Sequence, residues 1–482
     1  MSEHFALLVP GANAEGEPLT VSAPFDNQAI ATVDRGGQAA AEQALATAHA
    51  LYRGRDAWLN PAKRIDILRK IADLLQERRE YLATESAREG GKPLVDSLIE
   101  IDRAADSFRS CVDHLRVQAG TCIPMNITPS SANRLAFTVH EPIGVVLAFS
   151  AFNHPLNLIA HQIGPAIAAG CPVIVKPAEA TPLSCMRIVA IVREAGLPEN
   201  WCQALMTTGR DVSTAMVSDP RVAFFSFIGS SKVGWMLRSK LAPGTRCALE
   251  HGGAAPTIVM ADADLQKTVP LLSKGGMYHA GQICVSVQRI FADSEIIGQL
   301  AQQLAQACSG LKVGDPTLAE TDIGPLIREA EVNRIDEWVR EAVSGGAKLL
   351  CGGKILSATT YQPTVLLNPP ADVRVSTEEI FGPVVCLYEF TDVDDAITRA
   401  NSLPYSFQAS VFTQDIDSAM RVSQRIDAAS VMINDHTAFR VDWMPFAGFK
   451  ESGYGTGGIP FTLNDMQIEK QIVIKSGEIL PA

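Results

Sequence analysis

One cysteine has neighbours that suit chemistry. In Gly281-Gln282-Ile283-Cys284-Val285-Ser286 a small residue and an amide precede the thiol, as in an exposed turn whose sulfur can reach a ligand. A buried structural thiol is the competing reading, because free cysteine is among the most buried residue types. A reacting thiol would need a base, an oxyanion donor and a cofactor, and each has a candidate. Leu249-Glu250-His251-Gly252-Gly253 sets a carboxylate at the end of an apolar strand, as a general base or as a solvated turn acid. Phe152-Asn153-His154-Pro155 sets an amide just past another strand, where Asn153 could hold an oxyanion or cap the next helix. Lys176-Pro177-Ala178-Glu179 offers an amine and a carboxylate to ribose hydroxyls, and the carboxylate would disfavour a 2′-phosphate; a solvated loop is the alternative. Gly229-Ser230-Ser231-Lys232-Val233-Gly234 opens a helix whose N-terminus suits a pyrophosphate, or is merely serine-capped. Gly453-Tyr454-Gly455-Thr456-Gly457-Gly458 matches G-x-G-x-x-G letter for letter, but no βαβ unit follows it, so it reads as a flexible loop.

The elements that must position these residues are legible in outline. The first hundred residues read as largely helical. Ala39 to Leu51 is one helix, and Asn60-Pro61 starts a second that runs to about Glu85. Gly90-Gly91-Lys92-Pro93 breaks the chain before a third, from Val95 to Val117. From Leu135 the pattern changes. Strands at Val145–Phe149, Val173–Val175, Gln203–Met206, Val222–Phe227 and Ala248–Leu249 alternate with helices at Pro155–Ala168, Leu183–Ala195 and Ser230–Leu241. That alternation implies a parallel, doubly wound sheet, which binds ligands at the carboxyl ends of its strands. A second α/β stretch runs from Pro256 to about Asn434, and Gln467 to Ile474 alternates like an edge strand.

Composition narrows the class. Lys plus Arg is 41 against 53 Asp plus Glu, a net charge of −12, so nucleic acid is a poor partner. No apolar run reaches the roughly 18 residues of a membrane span, and no secretory signal is expected at the N-terminus. The 10 cysteines include no C-x-x-C pair, so no metal site is expected. Isolated cysteines point to a reducing, cytoplasmic location.

Taken in order, AFNHP, KPAE, IGSSKVG, LEHGG, GQICVS, EEIFGPV and PFAGFKESG resemble the aldehyde dehydrogenase superfamily from about Pro24 to Ile474. The resemblance implies an α/β fold of two doubly wound parallel-sheet domains plus a small β oligomerisation segment. Its parts are an NAD-binding domain (1–120 and 139–250), a catalytic domain (251–460) and a bridging segment (121–138 and 461–482), in a homodimer or homotetramer. It also implies roles: Cys284 as nucleophile, Glu250 as general base, and Asn153 with the Cys284 backbone N–H as the oxyanion hole. Lys176 and Glu179 match adenosine-ribose contacts. Gly229, Ser230 and Val233 match the pyrophosphate turn, and Glu379 and Phe381 match contacts to the nicotinamide ribose and ring. The implied reaction is NAD-dependent oxidation of an aldehyde, with NADP as an option. The thiolate adds to the carbonyl, hydride leaves to the nicotinamide, and water activated by a carboxylate releases the acid. A CoA-acylating relative would not need Glu250, a cofactor-free thiol hydrolase would not explain Lys176, Glu179 and Glu379, and a silent binding protein would be expected to lose Cys284 or Asn153.

Some residues depart from the family pattern. Thr456-Gly457 stands where many members have Arg-Glu, His251 where Leu is commoner, and Ala447 where Gly is usual. Tyr405-Ser406-Phe407-Gln408 replaces the usual Tyr-Gly-Leu. The motif around His154, and Phe439-Arg440-Val441-Asp442, look like the branch of lactaldehyde and phosphonoacetaldehyde dehydrogenases. Phosphonate-specific members carry Arg where this chain has Ile283. Arg103, His154 and Arg440 are therefore expected near the substrate, favouring a small polar or anionic aldehyde; ion pairs of Arg103 and Arg440 are the alternative.

Overall fold

The computed structural model describes residues 3–479. Residues 1–2 and 480–482, the outer ends of two expected segments, lie outside the described residues. The chain opens with β1 (Glu3–Phe5), β2 (Leu19–Ser22) and β3 (Ala29–Val33), paired in the order β1-β3-β2. A largely helical start is therefore corrected. These strands are too short for periodicity to separate them from loop. Four helices follow: α1 (Gln38–Arg53), α2 (Pro61–Glu77), α3 (Arg79–Gly90) and α4 (Leu94–Val117). Asn60 caps α2 by accepting from the Lys63 N–H at 2.9 Å, with Pro61 in the first turn. The single helix expected to Glu85 is two, broken at Arg78 (φ −103°, ψ 16°). No glycine or proline marks the break. A tertiary contact sits there instead: the Arg78 guanidinium grips Glu194 through bonds of 2.8 and 2.6 Å.

After β4 (Cys122–Ile123) and β5 (Arg134–Pro142) comes the first large sheet. It contains β6 (Val145–Phe149), β7 (Val173–Lys176), β8 (Cys202–Ala204), β9 (Val222–Ile228) and β10 (Arg246–Glu250). Its helices are α5 (Asn157–Ala169), α6 (Leu183–Glu194), α7 (Arg210–Val217) and α8 (Ser231–Arg238). Side chains along β6 alternate between two cores. Val146 and Ala148 join the core built with α2, α4, α5 and α6, while Val145, Leu147 and Phe149 join the core built with α1. Burial on both faces is what a doubly wound sheet requires. The second large sheet holds β11 (Ala255–Val259), β12 (Val287–Asp293), β13 (Lys348–Cys351), β14 (Thr364–Leu367), β15 (Val384–Phe390), β17 (Gln408–Phe412) and β18 (Ser430–Ile433) around one further core. Helix α9 (Leu265–Met277) follows β11, and the short β16 (Tyr405–Ser406) pairs outside this sheet. The strand near the C-terminus, Gln467–Lys475, pairs antiparallel with β5 over nine residues and forms a third sheet with β4. Among the described residues no helix is long and apolar enough to cross a membrane.

The glycine-rich tail is not the flexible loop expected of residues 453–458. Gly453–Tyr454 adds antiparallel to the edge of β10, and Thr456–Gly457 pairs with Phe446–Ala447. Glycine is required for the approach: a Cβ on Gly453 would sit 2.5 Å from the Leu249 carbonyl oxygen.

Helix α5 begins against a buried acid. Glu100 of α4 accepts from the N–H groups of Leu156 and Asn157 at 3.0 and 2.9 Å and pairs with Lys92. Both partners of the pair are at most 1% exposed. Removing one member of a buried pair leaves the other charge uncompensated, at a cost of about 3–5 kcal/mol. Glu100→Ala is therefore expected to lower the thermal inactivation midpoint by several degrees and to cut activity with it. Differential scanning fluorimetry beside a turnover assay would measure both; an unchanged midpoint would contradict the anchoring role.

Candidate active site

The first large sheet runs in the order Gly453–Tyr454, β10, β9, β6, β7, β8. Its neighbouring carboxyl ends therefore carry, in turn, Glu250, Gly229, the loop with Asn153, and Lys176. The strands are parallel, and their order of addition reverses between β9 and β6, where such sheets open a ligand crevice. On one side of it Gly229 donates to the Glu250 carbonyl at 3.0 Å, and the His251 Nδ1–H donates to the Gly229 carbonyl at 3.0 Å. His251, unusual for this motif, packs its ring under Gly234, where a Cβ would lie 1.9 Å from it. Ser230 precedes α8, but its side chain makes no capping bond, so a plain serine cap is not what the structure contains. Val233, in the same first turn, is exposed. The Lys176 amine lies 5.7 Å from the Phe149 ring centroid and 3.4 Å from the Pro177 carbonyl oxygen; burial lowers its pKa and Glu179 opposes the shift. Glu179 is exposed. An uncapped helix N-terminus beside a tight glycine turn, with an amine and a carboxylate two strands away, fits a dinucleotide.

The cysteine loop approaches from the second sheet. His279, Ala280 and Gly281 take successive left-handed φ values of 49°, 54° and 70°. Gln282 clamps the turn: its amide donates to the His279 and Pro325 carbonyls at 3.3 and 3.2 Å and accepts from the Ile327 N–H at 3.0 Å. The Gln282 carbonyl in turn accepts from Asn153 Nδ2 at 2.9 Å. Asn153 stands outside α5, whose first turn Glu100 satisfies, so the helix-cap alternative for Asn153 is not realised. Cys284 is half-buried, flanked by Ile283, Val285, Phe407 and Phe446.

Electrostatics link Cys284 to Glu250, Glu379 and Arg440. Burial pushes the Cys284 thiol up to about 12, Arg440 pulls it down, and Glu250 and Glu379 push it further up. Burial also raises the Glu250 pKa against the pull of Arg440. Glu379 is pushed up to about 8 by burial, against the Gly253 N–H that donates to it at 3.1 Å. Two glycines make room for these acids. A Cβ on Gly457 would lie 2.1 Å from Glu250 Oε1, and one on Gly252 would lie 1.7 Å from Glu379 Oε1. Phe381 has φ +49° and meets Phe152 edge to face at 5.9 Å.

The three expected substrate residues lie near one another, with Arg103 and Arg440 both bearing on His154. Arg103 makes a bidentate pair with Asp442 at 3.0 and 2.6 Å, so the ion-pair alternative describes it. Arg440 stacks 3.5 Å over Phe446 and donates to His161 Nδ1 at 3.2 Å. His154 bonds the Tyr278 hydroxyl at 3.3 Å; burial, then Lys92 and Arg103, hold its pKa well below the usual value, so it offers a hydrogen bond and not a charge. Sequence reasoning missed Asp442, His161, Glu100 and Gly457 as site residues. It also missed Gln288, which grips the segment before Phe381 through Glu378 O at 2.7 Å and Ile380 N–H at 2.9 Å. The Arg-x-Asp spacing at 440–442 was the one visible signal among them.

Comparison with known proteins identifies the family. The aldehyde dehydrogenase family model matches residues 12–472. A 3-sulfolactaldehyde dehydrogenase of Priestia aryabhattai is 39% identical over 444 residues, covering 91% of this chain and 93% of that protein. Aldehyde dehydrogenase 21 of Physcomitrella patens, solved with the reaction product succinate, superposes with a TM-score of 0.95 at 31% identity over the whole of both chains. Glyceraldehyde-3-phosphate dehydrogenase of Methanocaldococcus jannaschii, solved with NADP, gives 0.91 at 34% identity, covering 96% of this chain and 100% of that one. With the motifs in order, the sheets in place and Cys284, Glu250 and Asn153 converging on one crevice, the chain belongs to the aldehyde dehydrogenase family of NAD(P)-dependent oxidoreductases.

Proposed function

We propose that this enzyme oxidises a small polar or anionic aldehyde to its acid through Cys284, with Glu250 as general base. The observation that carries the reading is the convergence of the Cys284 loop, the Asn153 amide and Glu250 on the crevice at the reversal between β9 and β6. Cys284 adds to the carbonyl carbon, and its proton passes to Glu250. Asn153 and the Cys284 backbone N–H receive the oxyanion. A dinucleotide bound by Lys176, Glu179, Gly229, Ser230, Val233, Glu379 and Phe381 supplies the hydride acceptor. Glu250, after releasing the thiol's proton to solvent, then takes a proton from the water that cleaves the thioester. The nearness of Glu250 to Cys284 favours hydrolysis over transfer to a thiol such as CoA.

Arg440 carries the substrate reading, because it is the cation that electrostatics link to both Cys284 and Glu250. Relatives named sulfolactaldehyde and lactaldehyde dehydrogenase support small polar substrates. We also assign the cofactor to 1–120 and 139–250, the chemistry to 251–460, and assembly into a cytoplasmic homodimer or homotetramer to 121–138 and 461–482.

Glu250→Gln is expected to form the first equivalent of NADH more slowly, because the thiol loses its proton acceptor, and then to stall, with steady turnover down about 100-fold or more. Cys284→Ala should give no burst at all. Stopped-flow absorbance at 340 nm separates the two, and unchanged steady turnover in Glu250→Gln would remove it as the base.

The pH dependence follows in sign. Glu250 acts only when ionised and its pKa is raised, and the thiol resists ionisation up to about 12. Turnover should therefore climb with pH from below neutrality into the alkaline range, with its lower limb above the ordinary carboxylate range. A kcat/KM profile between pH 5 and 10 measures it; a flat profile over pH 5–7 would contradict the raised base.

A further inference from the structure

His161 lies on α5, 5% exposed, with both ring nitrogens engaged. Its Nε2 is 2.8 Å from Asp442 Oδ1, and its Nδ1 is 3.2 Å from Arg440 Nη2. A guanidinium can only donate, so Nδ1 carries a lone pair and the proton sits on Nε2, where it is given to the carboxylate. Burial, against the pull of Asp442, lowers the pKa of this ring, in keeping with the neutral form. Asp442 is already taken by the bidentate Arg103. Burial opposes its ionisation, but His161 and Arg103 outweigh that and hold its carboxyl well below the usual range.

Arg440 is thereby left without a hydrogen bond to the carboxylate, at the outer edge of ion-pair distance. Its Nε stands 3.7 Å from Asp442 Oδ1 and has no hydrogen-bond partner among the described residues, although the side chain is nine-tenths buried. Its guanidinium rests on Phe446, which shares an apolar cluster with Ile283 and Val285 on either side of Cys284. In this group Arg103 and Asp442 cancel and His161 is neutral. One positive charge remains, on Arg440, and Glu250 is the acid outside this group that pulls on it most.

We propose that His161 is a positioning residue: it ties Arg440 through a neutral imidazole and stops it collapsing onto Asp442, so that its guanidinium stays beside Cys284 and favours an anionic aldehyde, such as one bearing a carboxylate or sulfonate, over a neutral one. This rests on the substrate reading of Arg440. A neutral aldehyde would give up the charge-assisted contact that an anion makes with the guanidinium in a buried site.

The test uses the full-length enzyme and two alkylating probes of one size, iodoacetate and iodoacetamide, with modification of Cys284 followed by peptide mass. The wild-type ratio of iodoacetate to iodoacetamide rates should exceed that of glutathione. His161→Phe should lower it on the order of tenfold. His161→Gln, whose amide can both donate and accept, should keep it within about twofold. A ratio unchanged in His161→Phe, or both probes slowed in parallel there, overturns the proposal. The kcat/KM ratio for a carboxylate-bearing aldehyde against the neutral aldehyde of equal length should fall with the alkylation ratio. A wild-type enzyme without anionic preference overturns the substrate reading alone, because the alkylation ratio still judges the positioning role.

Discussion

Two buried carboxylates begin two helices, and the site depends on them. The first amides of a helix have no partner within it, and at a buried helix start water cannot supply one. Glu100 receives two such N–H groups of α5. Glu89 receives the Leu183 N–H, the Ser184 N–H at 3.0 Å and the Ser184 hydroxyl at 2.6 Å, at the start of α6. Glu89 directly precedes the break at residues 90–93, and Lys92 from that break compensates Glu100 of α4 while donating to the Asn153 carbonyl at 3.4 Å. One short piece of the N-terminal helices thus fixes the loops after β6 and β7, which carry Asn153, Lys176 and Glu179. Burial pushes Glu89 up to about 7 even with these donors, which shows how costly its desolvation is.

The same low-dielectric setting works differently on the reacting groups. Cys284, Glu250 and Glu379 are all shifted towards their neutral forms by burial, and the two carboxylates make the thiolate harder still to form. A thiolate beside an ionised Glu250 is therefore disfavoured. The economical arrangement is one proton shared between them: ionisation of the thiol and protonation of the carboxylate occur together, and the base is regenerated before water attacks. Gly457 makes the arrangement possible by space alone, since any side chain there would displace Glu250 Oε1. The absence of the Arg-Glu pair common in the family is thus an opening for the acid that remains.

Local features were legible from sequence, and long-range ones were not. Strand ends followed by Asn, Lys-Pro-x-Glu, Gly-Ser or Glu could be placed because an apolar run predicts where a strand stops, and a doubly wound sheet predicts that the stops share one edge. The break at Arg78 has no local cause and follows from a contact with Glu194, 116 residues away. Asp442 meets Arg103 across 339 positions and His161 across 281, so neither spacing nor periodicity announces the group. The decoy G-x-G-x-x-G was separable from a dinucleotide loop by context, but its packing against β10 and Glu250 became visible only in three dimensions.

In the proposed reaction Arg440 would serve the two halves in opposite senses. Its charge favours the Cys284 thiolate, which would help acylation, and it favours the Glu250 carboxylate, which would make a weaker base. Coulomb's law lets an anionic substrate resolve the conflict. While its charge lies against Arg440, the pull on Glu250 is partly cancelled and the carboxylate becomes more basic. The acyl group carries that charge through the thioester stage, so the cancellation persists while water must be activated. A neutral aldehyde would leave the cation free and the base weaker at that step. Preference for an anion could then show in deacylation as well as in binding, with the substrate's own charge acting as part of the catalytic field.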